Sequence, residues 1–123
     1  MKVIDKKTLT NKDSRKKVEK EVEVLKRVDG SSYVISLFEV FEDDSFVYLV
    51  FEYINKGDLV QYFKKKPLFE EDELAPFFLK IVKGVHNLHS KGVIHRDIKL
   101  DNILLDSNYH PKLIDFGISS FWI

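Results

Sequence analysis

Two short stretches hold most of the residues in this chain that could do chemistry: His95-Arg96-Asp97-Ile98-Lys99-Leu100-Asp101-Asn102 and Asp115-Phe116-Gly117. Asn102 precedes one short apolar run, Ile103 to Leu105, and Asp115 follows another, Lys112 to Ile114. The turn-rich Asp106-Ser107-Asn108-Tyr109-His110-Pro111 joins them. If the runs pair as antiparallel strands, the start of one lies beside the end of the other, so Asn102 and Asp115 meet as oxygen donors. A few hard oxygen ligands, with room left for water and phosphate, suit Mg²⁺. Asp97 lies upstream on the same rim, where a carboxylate can take a proton from an incoming hydroxyl. Lys99 can neutralise charge on a transferring phosphoryl group. A base, a cation and two metal ligands are the parts that phosphoryl transfer requires. Taken singly, Asp97, Asp101 and Asp115 also read as turn residues and His95 as a core histidine. Both stretches together, flanked by strands, make chance a poor explanation.

The remaining chain must position these groups. Met1 to Asp5 reads as the end of a strand, and Lys6 to Lys12 as a polar connection. Asp13 or Ser14 is expected to cap a helix running to about Val28, with Val18, Val22 and Leu25 on one face. Glu21 lies within that apolar stripe, and a carboxylate there needs a partner; Lys17, one turn earlier, is the local candidate. Asp29-Gly30-Ser31-Ser32 ends the helix. Tyr33 to Phe41 and Phe46 to Ile54 predict an antiparallel hairpin around Glu42-Asp43-Asp44-Ser45. Asp58 is expected to cap a short helix reaching Lys65. A longer helix from about Glu71 to Lys91 would bury Leu74, Phe78, Ile81, Val85 and Leu88, with Gly92 beyond its end. Pro76 is tolerable only near its first turn. The order is mixed α+β, sheet first and helix second.

The two motifs resemble those of the protein kinases. The family pattern H-R-D-x-K-x-x-N is matched at every fixed position, and D-F-G follows after a hairpin. The resemblance implies a two-lobe α+β fold, with residues 1–54 as small lobe and hinge strand and 55–123 as the start of the helical large lobe. It implies ATP and Mg²⁺ as cofactors and a protein substrate carrying Ser or Thr, since Lys99 resembles the serine/threonine class. Asp97 becomes the catalytic base, Asn102 and Asp115 the metal ligands, and Phe116 the residue that sets the active or inactive arrangement. Arg96 would meet a phosphorylated activation segment in relatives controlled that way. Lys2 is the counterpart of the third-strand lysine that touches the α/β-phosphates and pairs with a helix glutamate, here Glu21. The strand's V-A-I is absent, and Lys2 also reads as a solvated terminal lysine. Phe51 would guard the back of the nucleotide pocket. The backbone of Glu52, Tyr53 and Ile54 would bond the adenine, and Asp58 would reach the ribose. Leu59 and Leu104 would sandwich the base, and Leu25, Leu37, His95 and Phe116 would link the lobes.

Composition narrows the alternatives. The chain has 123 residues, 44% of them hydrophobic and 33% charged, which fits one soluble globular domain. Twenty basic residues balance twenty acidic ones, giving no support for nucleic-acid or membrane-surface binding. No cysteine is present, which excludes disulfides and thiolate metal sites. With no signal-like start and no apolar run long enough to span a bilayer, an intracellular location, cytoplasmic or nuclear, is expected. None of the five glycines forms a G-x-G-x-x-G loop, and the chain ends in the apolar Phe121-Trp122-Ile123. The expectation is an incomplete kinase domain of low or no activity. The alternative is a catalytically silent kinase-like binding module or a truncated gene product. Oligomeric state is not legible.

Overall fold

The computed structural model describes residues 1–65 and 70–121; Trp122 and Ile123, the last of the apolar end, lie outside them. Strand β1 (Lys2–Asp5) is followed by a 3-10 turn at Lys6–Thr8 and helix α1 (Lys12–Val28). Strands β2 (Leu37–Glu42) and β3 (Phe46–Phe51) form the hairpin, and β1 pairs antiparallel with β3, so the sheet runs β1-β3-β2. Helices α2 (Leu59–Lys65) and α3 (Glu71–Ser90) come next. Three two-to-three-residue strands follow the helices: β4 (Val93–Ile94), β5 (Ile103–Leu105) and β6 (Pro111–Leu113). β5 and β6 pair antiparallel, and β4 pairs with the final strand, β7 (Ser120–Phe121).

Helix α1 starts earlier than expected. Asn11, in extended backbone, accepts the Ser14 amide at 2.8 Å through Oδ1, which makes it the cap in place of Asp13 or Ser14. Its buried face is Glu21, Val24, Leu25 and Val28. The hairpin is shorter than the aromatic run suggested. Tyr33 adopts φ +63°, which ends any extended strand there. Residues 33–35 instead run parallel to β6: Leu113 N–H donates to Tyr33 O at 2.9 Å and Ile35 N–H to Leu113 O at 3.0 Å. The other strand stops at Phe51 rather than Ile54.

Asp43 organises the hairpin turn. Its carboxylate accepts the Ser45 and Phe46 amides at 2.8 and 2.7 Å and the Tyr48 hydroxyl at 2.8 Å. The Phe46 and Ser45 amides, then the Tyr48 hydroxyl, hold the Asp43 pKa below its ordinary 3.8. The bond to Asp43 holds Tyr48 above 10.0. A depressed carboxylate stabilises the fold above its unfolded value and loses that contribution as pH falls through the lower folded one. A raised phenol contributes below its unfolded value and loses that as pH rises through the folded one. Substituting Asp43→Asn should therefore lower Tm at neutral pH, with the difference from the parent chain shrinking below about pH 4. Parallel melting curves from pH 3 to pH 7 check this.

Helix α3 is capped as predicted at its C-terminal end, where Gly92 at φ +76° donates its amide to His89 O at 3.0 Å. Ile81 and Leu88 are buried and Val85 packs on the core as expected, but Phe77, not Phe78, turns inward and stacks on Tyr62 with ring centroids 6.3 Å apart, leaving Phe78 exposed. Pro76 is the sixth residue of α3 rather than a first-turn residue, so the Asp72 carbonyl receives no i+4 amide from it. Gly84 permits close packing. A Cβ there would sit 3.2 Å from Tyr33 O and 3.3 Å from Leu113 Cδ1. Replacing Gly84 with Ala should destabilise the fold by about 1–3 kcal/mol, because the backbone atom it meets cannot move freely. Denaturant unfolding reads the change as a lower midpoint.

The core joins the sheet and α1 to the helices through Val34, Ile35, Leu49, Ile54, Leu88, Leu113 and Phe116, all at most 8% exposed. No helix among the described residues is long and apolar enough to cross a membrane.

Candidate active site

The residues from His95 to Asp115 are braced by one imidazole. His95 is 2% exposed; Asp97 N–H donates to its Nδ1 at 3.1 Å, so Nε2 carries the proton and donates to Ile114 O at 2.6 Å. The ring also meets Phe116 edge-on, with centroids 4.8 Å apart. A single side chain thus fixes the backbone beside Asp97 and the residue before Asp115. Arg96 and Asp115 hold φ of +73° and +58°, left-handed backbone that non-glycine residues enter only when the surroundings enforce it.

The predicted hairpin forms, and Ile114 N–H donates to Asn102 O at 3.0 Å, which sets Asp115 one residue beyond Asn102's main-chain partner. Asn102 is 7% exposed, and its Nδ2 donates to Asp97 O at 3.0 Å and Asp97 Oδ2 at 2.9 Å. These bonds fix the amide orientation and leave Oδ1 as its acceptor. Lys99 Nζ stands 3.7 Å from Asp97 Oδ1 and 4.0 Å from Asp101. Asp115 Oδ1 accepts the Gly117 amide at 3.2 Å, which leaves its second oxygen for a ligand. Among the described residues no three His, Cys, Asp or Glu side chains gather as a metal cage. The chemistry of one amide and one carboxylate oxygen suits Mg²⁺, and Asn102 Oδ1 with the second Asp115 oxygen would hold such an ion, completed by water and phosphate.

Across a cleft of about 360 Å³ lies the second group. Lys2 Nζ donates to both Glu21 oxygens, at 2.8 and 3.0 Å, so the buried helix carboxylate finds its partner on β1 rather than in Lys17. Lys2, Glu21, Phe51, Glu52, Tyr53 and Ile54 all line this cleft, as do Leu104 and Asp115 opposite them. Asp58 does not. One of its oxygens caps α2 by accepting the Gln61 amide at 2.9 Å, and its backbone bridges to Leu104 at the cleft's edge. Leu59 is fully buried, so of the two leucines expected around the base only Leu104 reaches the cleft. Leu25 and Phe116, expected as links between the lobes, line it too, and Met1, Ile35 and Ile114 join the wall without a signal in the sequence, since each reads there as ordinary packing.

This arrangement, a lysine–glutamate pair sharing a cleft with Asp115 and a hairpin tying Asp115 to the linked Asn102 and Asp97 just outside the cleft lining, matches the layout of a protein kinase domain. The family model for the protein kinase domain matches residues 1–123, and the chain belongs to that family. It is 39% identical over 105 residues to NUAK family SNF1-like kinase 1 of Homo sapiens, covering 85% of this chain and 16% of that protein. To NUAK family SNF1-like kinase 2 of Rattus norvegicus it is 37% identical over the same length, with the same coverage. Serine/threonine protein kinase OSK3 of Oryza sativa subsp. indica is 36% identical over 120 residues, 98% of this chain and 23% of that protein. The chain thus spans roughly a sixth to a quarter of the length of the curated relatives it matches. The family as a whole works on ATP with Mg²⁺.

Proposed function

We propose that the protein containing this chain transfers the γ-phosphoryl group of ATP to a Ser or Thr hydroxyl of a protein substrate. The observation that carries this reading is the asymmetric use of the Asp97 carboxylate. Oδ2 is held by the Asn102 amide, while among the described residues Oδ1 is approached by Lys99, at 3.7 Å. Oδ1 is the oxygen that receives the hydroxyl proton as the substrate oxygen attacks phosphorus. The bond from phosphorus to the bridging oxygen breaks in the same event, and ADP carries that oxygen away. Lys99 meets charge on the transferring group. Lys2, held by Glu21, meets the α/β-phosphates, and Asn102 and Asp115 hold Mg²⁺. That ion, when bound, draws negative charge from the phosphate oxygens. The cleft between Leu104 and the Phe51–Ile54 segment takes the adenine, with Asp58 at the ribose side.

The assignment to Ser and Thr rests on Lys99 and on the similarity to the rice relative, a serine/threonine protein kinase. Incubating the full-length protein with labelled ATP, Mg²⁺ and a mixed protein substrate should place label on phosphoserine or phosphothreonine. Label on tyrosine alone, or none with intact Mg·ATP binding, overturns this function.

A further inference from the structure

Glu52 borders the cleft, yet both its carboxylate oxygens are committed to other parts of the chain. Oε2 accepts the Ser36 amide at 2.8 Å, and Glu52 N–H returns a bond to Ser36 O at 3.0 Å. Oε1 meets Lys112 Nζ at 3.2 Å, and both side chains of this pair are about four-fifths buried, at 20% and 21% exposure. Three elements converge on one carboxylate: the exit of β3, the loop between α1 and β2, and strand β6. Each has a stake in the cleft. The exit of β3 is its wall at Phe51 to Ile54, while Lys112 pairs with Leu104 on the opposite wall and precedes Asp115 by three residues. An exposed ion pair would contribute little, but a largely buried one with an added backbone bond holds geometry.

We propose that Glu52 and Lys112 are positioning residues for the nucleotide: their contact sets the spacing of the two cleft walls and neutralises a carboxylate that would otherwise stand unpaired within the adenine wall. This rests on the reading of the cleft as an ATP site. The two partners are not equivalent. Glu52→Gln keeps an acceptor for Ser36 and removes the charge, so it loosens the wall alone. Lys112→Met keeps the apolar stem but strands an unpaired, largely buried carboxylate in the adenine wall, so it both loosens the wall and burdens it with an uncompensated charge.

The test is the Kd for Mg·ATP and the steady-state kinetics of the full-length protein and three variants. Glu52→Gln should weaken binding about threefold and Lys112→Met about tenfold. The double variant should return to the Glu52→Gln value, because the uncompensated charge is gone. The effect falls on KM for ATP, with kcat changed far less. Unchanged binding in Glu52→Gln, additive losses in the double variant, or a fall in kcat at constant KM each overturns the clamp. Should Lys112→Met fail to fold, Glu52→Gln and the double variant still decide it. A parent protein that binds no Mg·ATP overturns the functional reading as well; a binding parent with unaltered variants overturns the clamp alone.

Discussion

Replacing Asp97 with Asn is expected to lower the phosphoryl-transfer rate of the full-length protein by about 10²–10⁴-fold, the range lost with a general base. The substitution is nearly isosteric. Its backbone amide still reaches His95 Nδ1, and its carbonyl still accepts from Asn102 Nδ2. If Oδ1 is the proton acceptor, only the capacity to take that proton disappears. Mg·ATP affinity and Tm should then change little, because neither depends on proton transfer. Single-turnover labelling beside a nucleotide titration separates these effects. A variant with full transfer activity removes Asp97 from the reaction, and one that also loses nucleotide binding assigns it a structural part instead.

The second large effect is expected at Lys2. Glu21 is 6% exposed and its two oxygens are both satisfied by the one ammonium group. Lys2→Met removes that group and strands a carboxylate in the interior, where an unpaired charge is expensive. The Lys2 side chain is itself 43% exposed, so solvent offsets part of the loss, and about 1–2 kcal/mol of stability is at stake. If Lys2 meets the ATP phosphates as proposed, catalysis loses a phosphate-directed cation at the same stroke, a change worth roughly 10²–10³-fold in rate. The pair Lys2→Met with Glu21→Gln tells the two apart. The double variant should recover most of the stability, since the buried charge is gone, and none of the activity. Recovery of both would make the ion pair a packing device without a catalytic part.

How much of this was readable beforehand follows from what each residue answers to. The hairpin that carries Asn102 and Asp115 is legible because its geometry is local: a short turn and a tight loop fix both residues and Asp97 within about twenty positions. Glu21 was recognisable as a misfit, a charge on an apolar helix face. Its true partner, however, lies on another element and came from resemblance, while local spacing favoured Lys17. The α1 cap moved to Asn11 because two good capping residues follow it and spacing cannot rank them. The start of β2 was misread because Tyr33 to Ser36 has strand-forming residues, yet a positive φ at Tyr33 turns it toward β6, a non-local pairing. The choice of Phe77 over Phe78 likewise depends on where Tyr62 lies. Lys112 carried no signal at all; a lysine in a three-residue strand reads as solvent-facing until Glu52 is seen beside it.

The parallel pairing of residues 33–35 with β6 has a mechanical meaning. It nails the segment just after α1 to the half of the molecule that holds Asp115, so any tilt of that helix turns about its Val28 end. At 1.5 Å per residue, Glu21 stands about 10 Å from that fulcrum and Lys12 about 24 Å. A swing large enough to be felt by a regulator at the far tip therefore reaches the Lys2 contact at less than half its amplitude. In such a tilt the helix would act as a reducing lever.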